Sequence, residues 1–455
     1  MINEIQIKPI MSEMLHFPYR LLPIFCLFFI ACQQDEKKFS LTSKLGKDEA
    51  LEDFQQLIEV LQSNHPALYD FTPKNQFDSL VNVQRRLIND SLTVSEFFNV
   101  AIPVVNQVGC SHTGFGFPNP DRFWTDPETK VLWFDVVIQD GKCFLLKEQV
   151  SEVDLKPGTE IFAFNDHSIS QLQQKFQQYI STDGDNKSTK KLVTNIWFND
   201  YLAMSENFPD EYKVTYKIPG EDSVRYSRIK ALSGETVAPY YTKTPHLSLD
   251  SAKNVAVVTI PSFGFYENVE EFQSFVDSSF HLIKRNNFNN LILDLRNNPG
   301  GDPYCSAYLL TYLAQEPFTY FDQPAPGYDS LTKHTPLVEE RFQGNLYTLT
   351  NSLCNSTTGH LCALLKYHHI GEFIGSETSG TYTCNDNSKP FTLENSGLVL
   401  ITARTTYSVD VQGIARFQGI APDHEVEITL SDHLQGKDPV KDYAFQLIHE
   451  LNNGQ

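Results

Sequence analysis

Residues 290–302 read NLILDLRNNPGGD, and the reading of this stretch decides the architecture. Leu291, Ile292 and Leu293 form a run too uniformly apolar for a strand with one wet face, so it belongs to a strand covered on both sides. Asp294 and Arg296 mark where that strand leaves the core, and they read as an ion pair bracing its end. Asn-Asn-Pro-Gly-Gly then makes a corner ahead of a helical pattern over 304–314. Gly300 and Gly301 have no Cβ to shield their amides, so this corner can turn backbone N–H groups outward. Preorganised donors of that kind are what a developing oxyanion needs, although a plain tight turn uses the same residues.

The surroundings repeat the theme. NVAVVTIPSF (254–263) reads as a strand and 268–286 as a helix. NLYTLTNS (345–352) is a further strand, 357–368 a helix and EFIGSE (372–377) a strand. Alternation of this kind predicts a mostly parallel sheet flanked by helices over 245–452, with reactive groups gathered where strands end and helices begin. Two further stretches then stand out. TLTNSLCNSTTGHLCALLKYHHIGEFIGSETSG (348–380) places Ser356 at a strand-to-helix corner, where the helix end favours a nucleophile and nascent negative charge. Ser352, Thr357 and Thr358 compete as simple helix caps, and spacing alone does not choose among them. GCSHTGF (109–115) sets Ser111-His112 in a glycine-rich loop, a position from which an imidazole can act as a base near neutrality. His368 and His369 are adjacent on a helix and do not face each other, which argues against a metal pair.

Upstream, Leu51, Phe54, Leu57, Ile58 and Leu61 recur at helical steps, and helices are expected over 75–88 and 93–107, the last with a Thr93/Glu96 capping box. Residues 47–128 thus form a small helical cap that carries Ser111-His112. Residues 129–235 are β-rich. Asp140-Gly141 marks a hairpin, and LKPGTEIFAFNDHSISQL (155–172) gives a turn, a strand, an Asn165-Asp166 turn and a helix start. That order resembles a PDZ module, which captures peptide ends by adding a strand to a sheet edge.

The N-terminus reads as processing rather than fold. RLLPIFCLFFIAC (20–32) is too short for a membrane span and fits a secretory signal over 1–31, followed by a tether over 32–46. A Cys after Ala31 resembles a bacterial lipoprotein signal, which makes Cys32 the lipidated residue. The chain is then expected on the bacterial envelope, at the outer membrane. A formal charge of −20 over 455 residues excludes nucleic acid as a partner. The six cysteines beyond the signal show no CxxC or zinc spacing, and no metal or cofactor is expected.

Taken together, LDLRNNPGG (293–301), Ser356, GSETSG (375–380) and the closing GIAPDHEVEI (419–428) resemble the C-terminal processing, or tail-specific, serine peptidases and their tricorn-core relatives. The resemblance implies an α/β, crotonase/ClpP-like catalytic core with a PDZ-like module and a helical cap. It implies hydrolysis of protein or peptide substrates, and it puts the nucleophile on Ser356, 19 residues before Gly375. The bacterial processing enzymes place a Lys directly after the last glycine of that motif, where this sequence has Thr381. The tricorn-like branch instead uses a His from before the PDZ-like module, which falls on His112 with Ser111 as its orienting neighbour. By the same resemblance the oxyanion donors fall on Gly300, Gly301 and Thr357. The branch's orienting acid sits three residues before the closing glycine, where this chain has Arg416, and Asp410 and Asp423 are the nearest carboxylates. Two readings of other classes stand beside this one. The first is an inactive peptide-binding lipoprotein on the same scaffold. The second is a glycan-binding lipoprotein, which three tryptophans serve poorly.

Overall fold

In the computed structural model, residues 3–5, 39–119, 129–147, 153, 155–233 and 244–453 are described. The central stretch of the expected signal and Cys32 lie outside them, and Asn3–Ile5 pairs antiparallel with Leu247–Leu249 at a sheet edge.

Three helices open the fold: α1 (Lys47–Asn64), α2 (Lys74–Leu87) and α3 (Val94–Asn106). The capping box of α3 is formed, with Thr93 Oγ1 accepting from Glu96 N–H at 3.2 Å and Glu96 Oε2 from Thr93 N–H at 2.8 Å. The loop bearing Ser111-His112 leads into β1 (Gly114–Gly116). Next come β2 (Val136–Gln139), β3 (Lys142–Leu145), β4 (Glu160–Phe164) and β5 (His167–Ser168). The helices α4 (Ile169–Phe176), α5 (Lys187–Ile196) and α6 (Phe198–Ser205) and the strands β6 (Glu211–Lys217) and β7 (Arg225–Lys230) complete this part. Its sheet runs β7-β6-β4-β3-β2, antiparallel throughout, with β5 on β4. Asp140 and Gly141 both have positive φ, as a two-residue hairpin turn demands.

The second half is built on β8 (His246–Asp250), β9 (Val255–Thr259), α7 (Val269–Arg285), β10 (Asn290–Asp294), α8 (Pro303–Leu313), β11 (Asn345–Thr350), α9 (Thr357–Tyr367) and β12 (Glu372–Gly375). After these come β13 (Thr383–Asp386), β14 (Lys389–Thr392), β15 (Val399–Thr402), β16 (Thr405–Ser408), β17 (His424–Glu425), α10 (Leu430–Gln435) and α11 (Pro439–Asn453). Strands β9, β10, β11, β12 and β17 lie side by side and parallel, with β8 antiparallel on β9. Crossovers of one hand between neighbouring parallel strands put their helices on one face. Alternate residues of β10 accordingly enter different cores. Leu291 and Leu293 join α7, α8 and α9, while Ile292 joins Val440, Ala444 and Ile448 of α11 on the opposite face. The fully buried strand expected from NLILD is found.

The halves are knitted rather than merely adjacent. Strand β15 pairs with β1, so the β14–β15 hairpin reaches back to the segment just after His112.

Candidate active site

The corner after β11 is tightly wound. Ser356 adopts φ +51° and ψ −127°, a region that residues with a Cβ rarely enter. Its side chain makes no capping hydrogen bond to α9. The rival caps are engaged elsewhere or do not reach one. Ser352 Oγ donates to the Glu377 carbonyl at 2.9 Å, Thr357 Oγ1 donates to the Gly301 carbonyl at 2.5 Å, and Thr358 Oγ1 is buried without a protein partner. Ser356 is thus a strained, uncapped serine on a strand-to-helix turn, the geometry that presents a nucleophilic hydroxyl in the α/β-hydrolases.

The Pro-Gly-Gly corner after β10 packs directly on it. A Cβ on Gly300 would lie 2.7 Å from Ser356 Cβ, and one on Gly301 would lie 2.1 Å from the Phe263 carbonyl carbon. Both glycines have positive φ, so close approach and backbone conformation each require glycine here. The two amides differ. Gly300 N–H donates to Asn298 Oδ1 at 2.9 Å and is therefore not available to a ligand. Among the described residues, the N–H groups of Gly301 and Thr357 have no protein acceptor.

The Ser111-His112 loop arrives from the other half of the molecule. Asn355, next to Ser356, donates from Nδ2 to Ser111 Oγ at 3.2 Å. Ser111 in turn is held by Asp183, whose Oδ1 accepts from Ser111 N–H at 2.8 Å and whose Oδ2 lies 3.0 Å from Ser111 Oγ. His112 Nδ1 is 3.1 Å from the same hydroxyl. A hydroxyl has one proton to give, and the carboxylate takes it. His112 Nδ1 must then be the donor to Ser111 Oγ, and in the neutral imidazole this leaves the lone pair on Nε2. Asp386 Oδ2 stands 3.6 Å from that Nε2. Ser388 Oγ fixes the loop by donating to the His112 carbonyl at 2.9 Å.

Most of the surroundings are buried. His112 is 4% exposed, and Asp183 is buried deeply enough that desolvation raises its carboxyl above the usual range, against the opposing influence of His112 and the Ser111 bonds. One helical turn beyond Ser356, His360 is pushed down to about 3 by burial and then by His112, so it is neutral. Burial raises the Cys384 thiol well above its ordinary range and keeps it protonated.

This constellation can be compared with known proteins. Residues 254–426 match the model of peptidase family S41. The chain carries a peptidase family S41 domain. Over 205 residues, 45% of its length, it is 27% identical to the tricorn protease of Thermoplasma acidophilum, and it spans 18% of that relative. Among solved structures, mature CPAF complexed with lactacystin superposes with a TM-score of 0.65 at 13% identity, covering 90% of this chain and 99% of that one. Mature CPAF also superposes, with a TM-score of 0.64 at 13% identity over 90% and 98% of the two chains. At such identities these likenesses establish a shared fold, the α/β architecture expected from the sequence.

Within the S41 frame the expected acids are displaced. Asp423 is bound by Lys366 Nζ at 2.6 Å and by Phe373 N–H at 2.9 Å, which ties it to the β12 edge. Asp410 is exposed beside Tyr320, whose carbonyl accepts its N–H at 3.0 Å. The carboxylates beside Ser111-His112 are Asp183 and Asp386 instead. Neither carries a sequence signal of its own, since Asp183 lies in the α4–α5 connection and Asp386 ends β13. Thr381, at the Lys position of the bacterial enzymes, is 2% exposed, and Lys389 is exposed on β14.

Proposed function

We propose that the chain is a serine endopeptidase that hydrolyses peptide bonds of proteins or peptides, with Ser356 as nucleophile and His112 as base. The observation that carries this reading is the hydrogen-bonded line Asp183–Ser111–His112, joined through Asn355 to a strained, uncapped Ser356. His112 Nε2 takes the proton from Ser356 Oγ as the oxygen attacks the substrate carbonyl. Asp386, 3.6 Å away, favours the imidazolium that results. The N–H groups of Gly301 and Thr357 receive the oxyanion. The proton then passes to the leaving amine, and water cleaves the acyl ester by the reverse sequence. Asp183 keeps Ser111 oriented and, through it, the His112 tautomer. The β-rich module over 129–235, read as PDZ-like, offers an edge for extended peptides. The signal over 1–31 and lipidation at Cys32 place the enzyme on the bacterial envelope, at the outer membrane.

The test is labelling by a fluorophosphonate probe together with hydrolysis of a fluorogenic casein digest. Ser356→Ala should abolish labelling, and His112→Gln should lower kcat by about 10² to 10⁴. A Ser356→Ala protein that cleaves casein at the wild-type rate refutes the assignment. Partition of a Cys32→Ser protein into the aqueous rather than the detergent phase checks the anchor.

A further inference from the structure

Arg416, at the place where the acid was expected, has another task. Its guanidinium pairs with Asp70 at 2.7 Å and lies 4.9 Å over the ring of Phe417. Phe417 meets Phe71 edge-on, with ring centroids 5.4 Å apart and planes at 60°. The Phe71 ring lies against one glycine, Gly109, and the Cβ and backbone of Phe417 lie against another, Gly184. A Cβ on Gly109 would come 2.3 Å from Phe71 Cδ1, and one on Gly184 would come 2.6 Å from Phe417 Cβ. Gly184 N–H donates to the Gly109 carbonyl at 3.1 Å. Gly109 is two residues before Ser111, and Gly184 directly follows Asp183. Phe71 and Phe417, joined through their rings, therefore bridge the two loops that meet in the Asp183–Ser111 hydrogen bond.

The same segment is tied to the nucleophile's corner at its other end. Ile420 N–H donates to Thr378 Oγ1 at 2.8 Å, Thr378 N–H to the Ile420 carbonyl at 3.2 Å, and Gly419 N–H to Glu377 Oε1 at 2.8 Å. Two residues further along, Gly380 N–H and Ser379 Oγ both donate to the Cys354 carbonyl, at 2.9 and 3.0 Å. Cys354 is two residues before Ser356. Phe417 holds φ +64°, which is unfavourable for an aromatic residue and persists only where packing over-determines it.

We propose that Phe417 is a positioning residue: its ring, packed edge-on against the Phe71 ring that seats on Gly109, while its Cβ and backbone seat on Gly184, fixes the Asp183–Ser111–His112 line relative to Ser356. This deepens the peptidase reading and rests on it. Small displacements of reacting groups cost far more in rate than in binding, and a misplacement of about 1 Å can cost 10²-fold.

The test compares Phe417→Gly and Phe417→Tyr in the full chain. Glycine adopts φ +64° without strain, so it removes the ring while easing the backbone, and tyrosine keeps the ring. In Phe417→Gly, kcat should fall by about tenfold or more with KM and the melting midpoint held, and Phe417→Tyr should recover wild-type kcat. Wild-type kcat in the glycine variant overturns the proposal. So does a loss of kcat that comes with an equal loss of melting midpoint and no recovery in the tyrosine variant. The imidazole is followed separately by ¹⁵N NMR of His112, assigned by difference from His112→Gln. The Nδ1–H tautomer should dominate in the wild type and be mixed in Phe417→Gly. If the wild-type chain hydrolyses nothing, the peptidase reading falls alone. The NMR comparison then decides, with a changed tautomer ratio supporting the bridge and an unchanged one refuting it.

Discussion

Ser356 holds φ +51°, and a non-glycine residue in so sparsely populated a region costs about 1–3 kcal/mol. The cost is supported by the neighbours: Gly300 leaves room for Ser356 Cβ, and Gly380 leaves room for its amide, which a Cβ there would approach to 2.8 Å. The proposed base, His112, takes its tautomer from the hydrogen bonds around Ser111. Asp183→Asn would put an NH₂ where Ser111 Oγ now finds an acceptor. The hydroxyl proton could then turn to His112 Nδ1 and favour the Nε2–H tautomer, which cannot accept from Ser356. The expected result is a fall in kcat of about 10² to 10⁴ with little change in melting midpoint, measured on a fluorogenic peptide. His360 makes a separate claim about pH. Burial lowers its pKa from 6.5 to about 3, so the unfolded chain protonates first as the pH drops. Its contribution to stability is present above pH 6.5 and is lost as pH falls from there toward 3, by at most about 1.4 kcal/mol per unit. His65, lowered to about 4 mainly by burial, acts in the same direction. Urea midpoints between pH 7 and 4 should therefore fall less steeply in His360→Gln than in the wild type, and equal slopes would refute this account.

At the scale of elements, the end of β10 is a junction. Arg296 binds Asp294 through Nε and Nη2 at 2.9 and 2.7 Å, and Asp438 through Nη1 and Nη2 at 2.7 and 2.8 Å. Asp438 also accepts Lys441 N–H at 3.1 Å, so the cap of α11 is held against the strand end. Burial pulls the Asp438 carboxyl up, yet the Arg296 bonds hold it below its ordinary range. Removing one partner of a buried pair leaves a stranded charge, and the Asp294 side chain is only 11% exposed. Arg296→Met should therefore cost about 3 kcal/mol in urea unfolding, and Asp294→Asn added to it should recover part of that loss. The Asp294–Arg296 pair is legible in the sequence because the two residues are neighbours. Asp438 is legible as a helix cap, but not as the pair's third member 142 residues away. The same distinction runs through the fold. Hydrophobic period and turn residues locate α3, α7 and the Asp140-Gly141 hairpin to within a residue or two, because those signals are local.

For the whole molecule, the site exists only because two distant parts of the chain interlock. Ser111, His112 and Ser356 are legible from motifs, since their loops carry unusual glycine and serine spacing. Asp183 and Asp386 are not, because each becomes a neighbour of His112 only when the β14–β15 hairpin and the α4–α5 connection fold against the His112 loop. Leu393, Leu398, Leu400 and Ala403 of the hairpin region belong to the hydrophobic core of the N-terminal half. Its tip is bound by the fully buried Asp53 of α1, which accepts Asn395 N–H at 2.9 Å and Ser396 N–H at 2.7 Å. Strand β15 then pairs Leu400 with Phe115, three residues beyond His112. A cavity beneath β15 should accordingly disturb the base as well as stability. Leu400→Ala and Ile448→Ala both empty buried positions, and each should cost about 2–5 kcal/mol. Ile448 lies on α11, on the sheet face away from α7, α8 and α9. Measured well below either melting point, kcat should drop in Leu400→Ala and stay near wild type in Ile448→Ala. Equal activity in the two variants would mean that the hairpin holds the halves together without setting the position of His112.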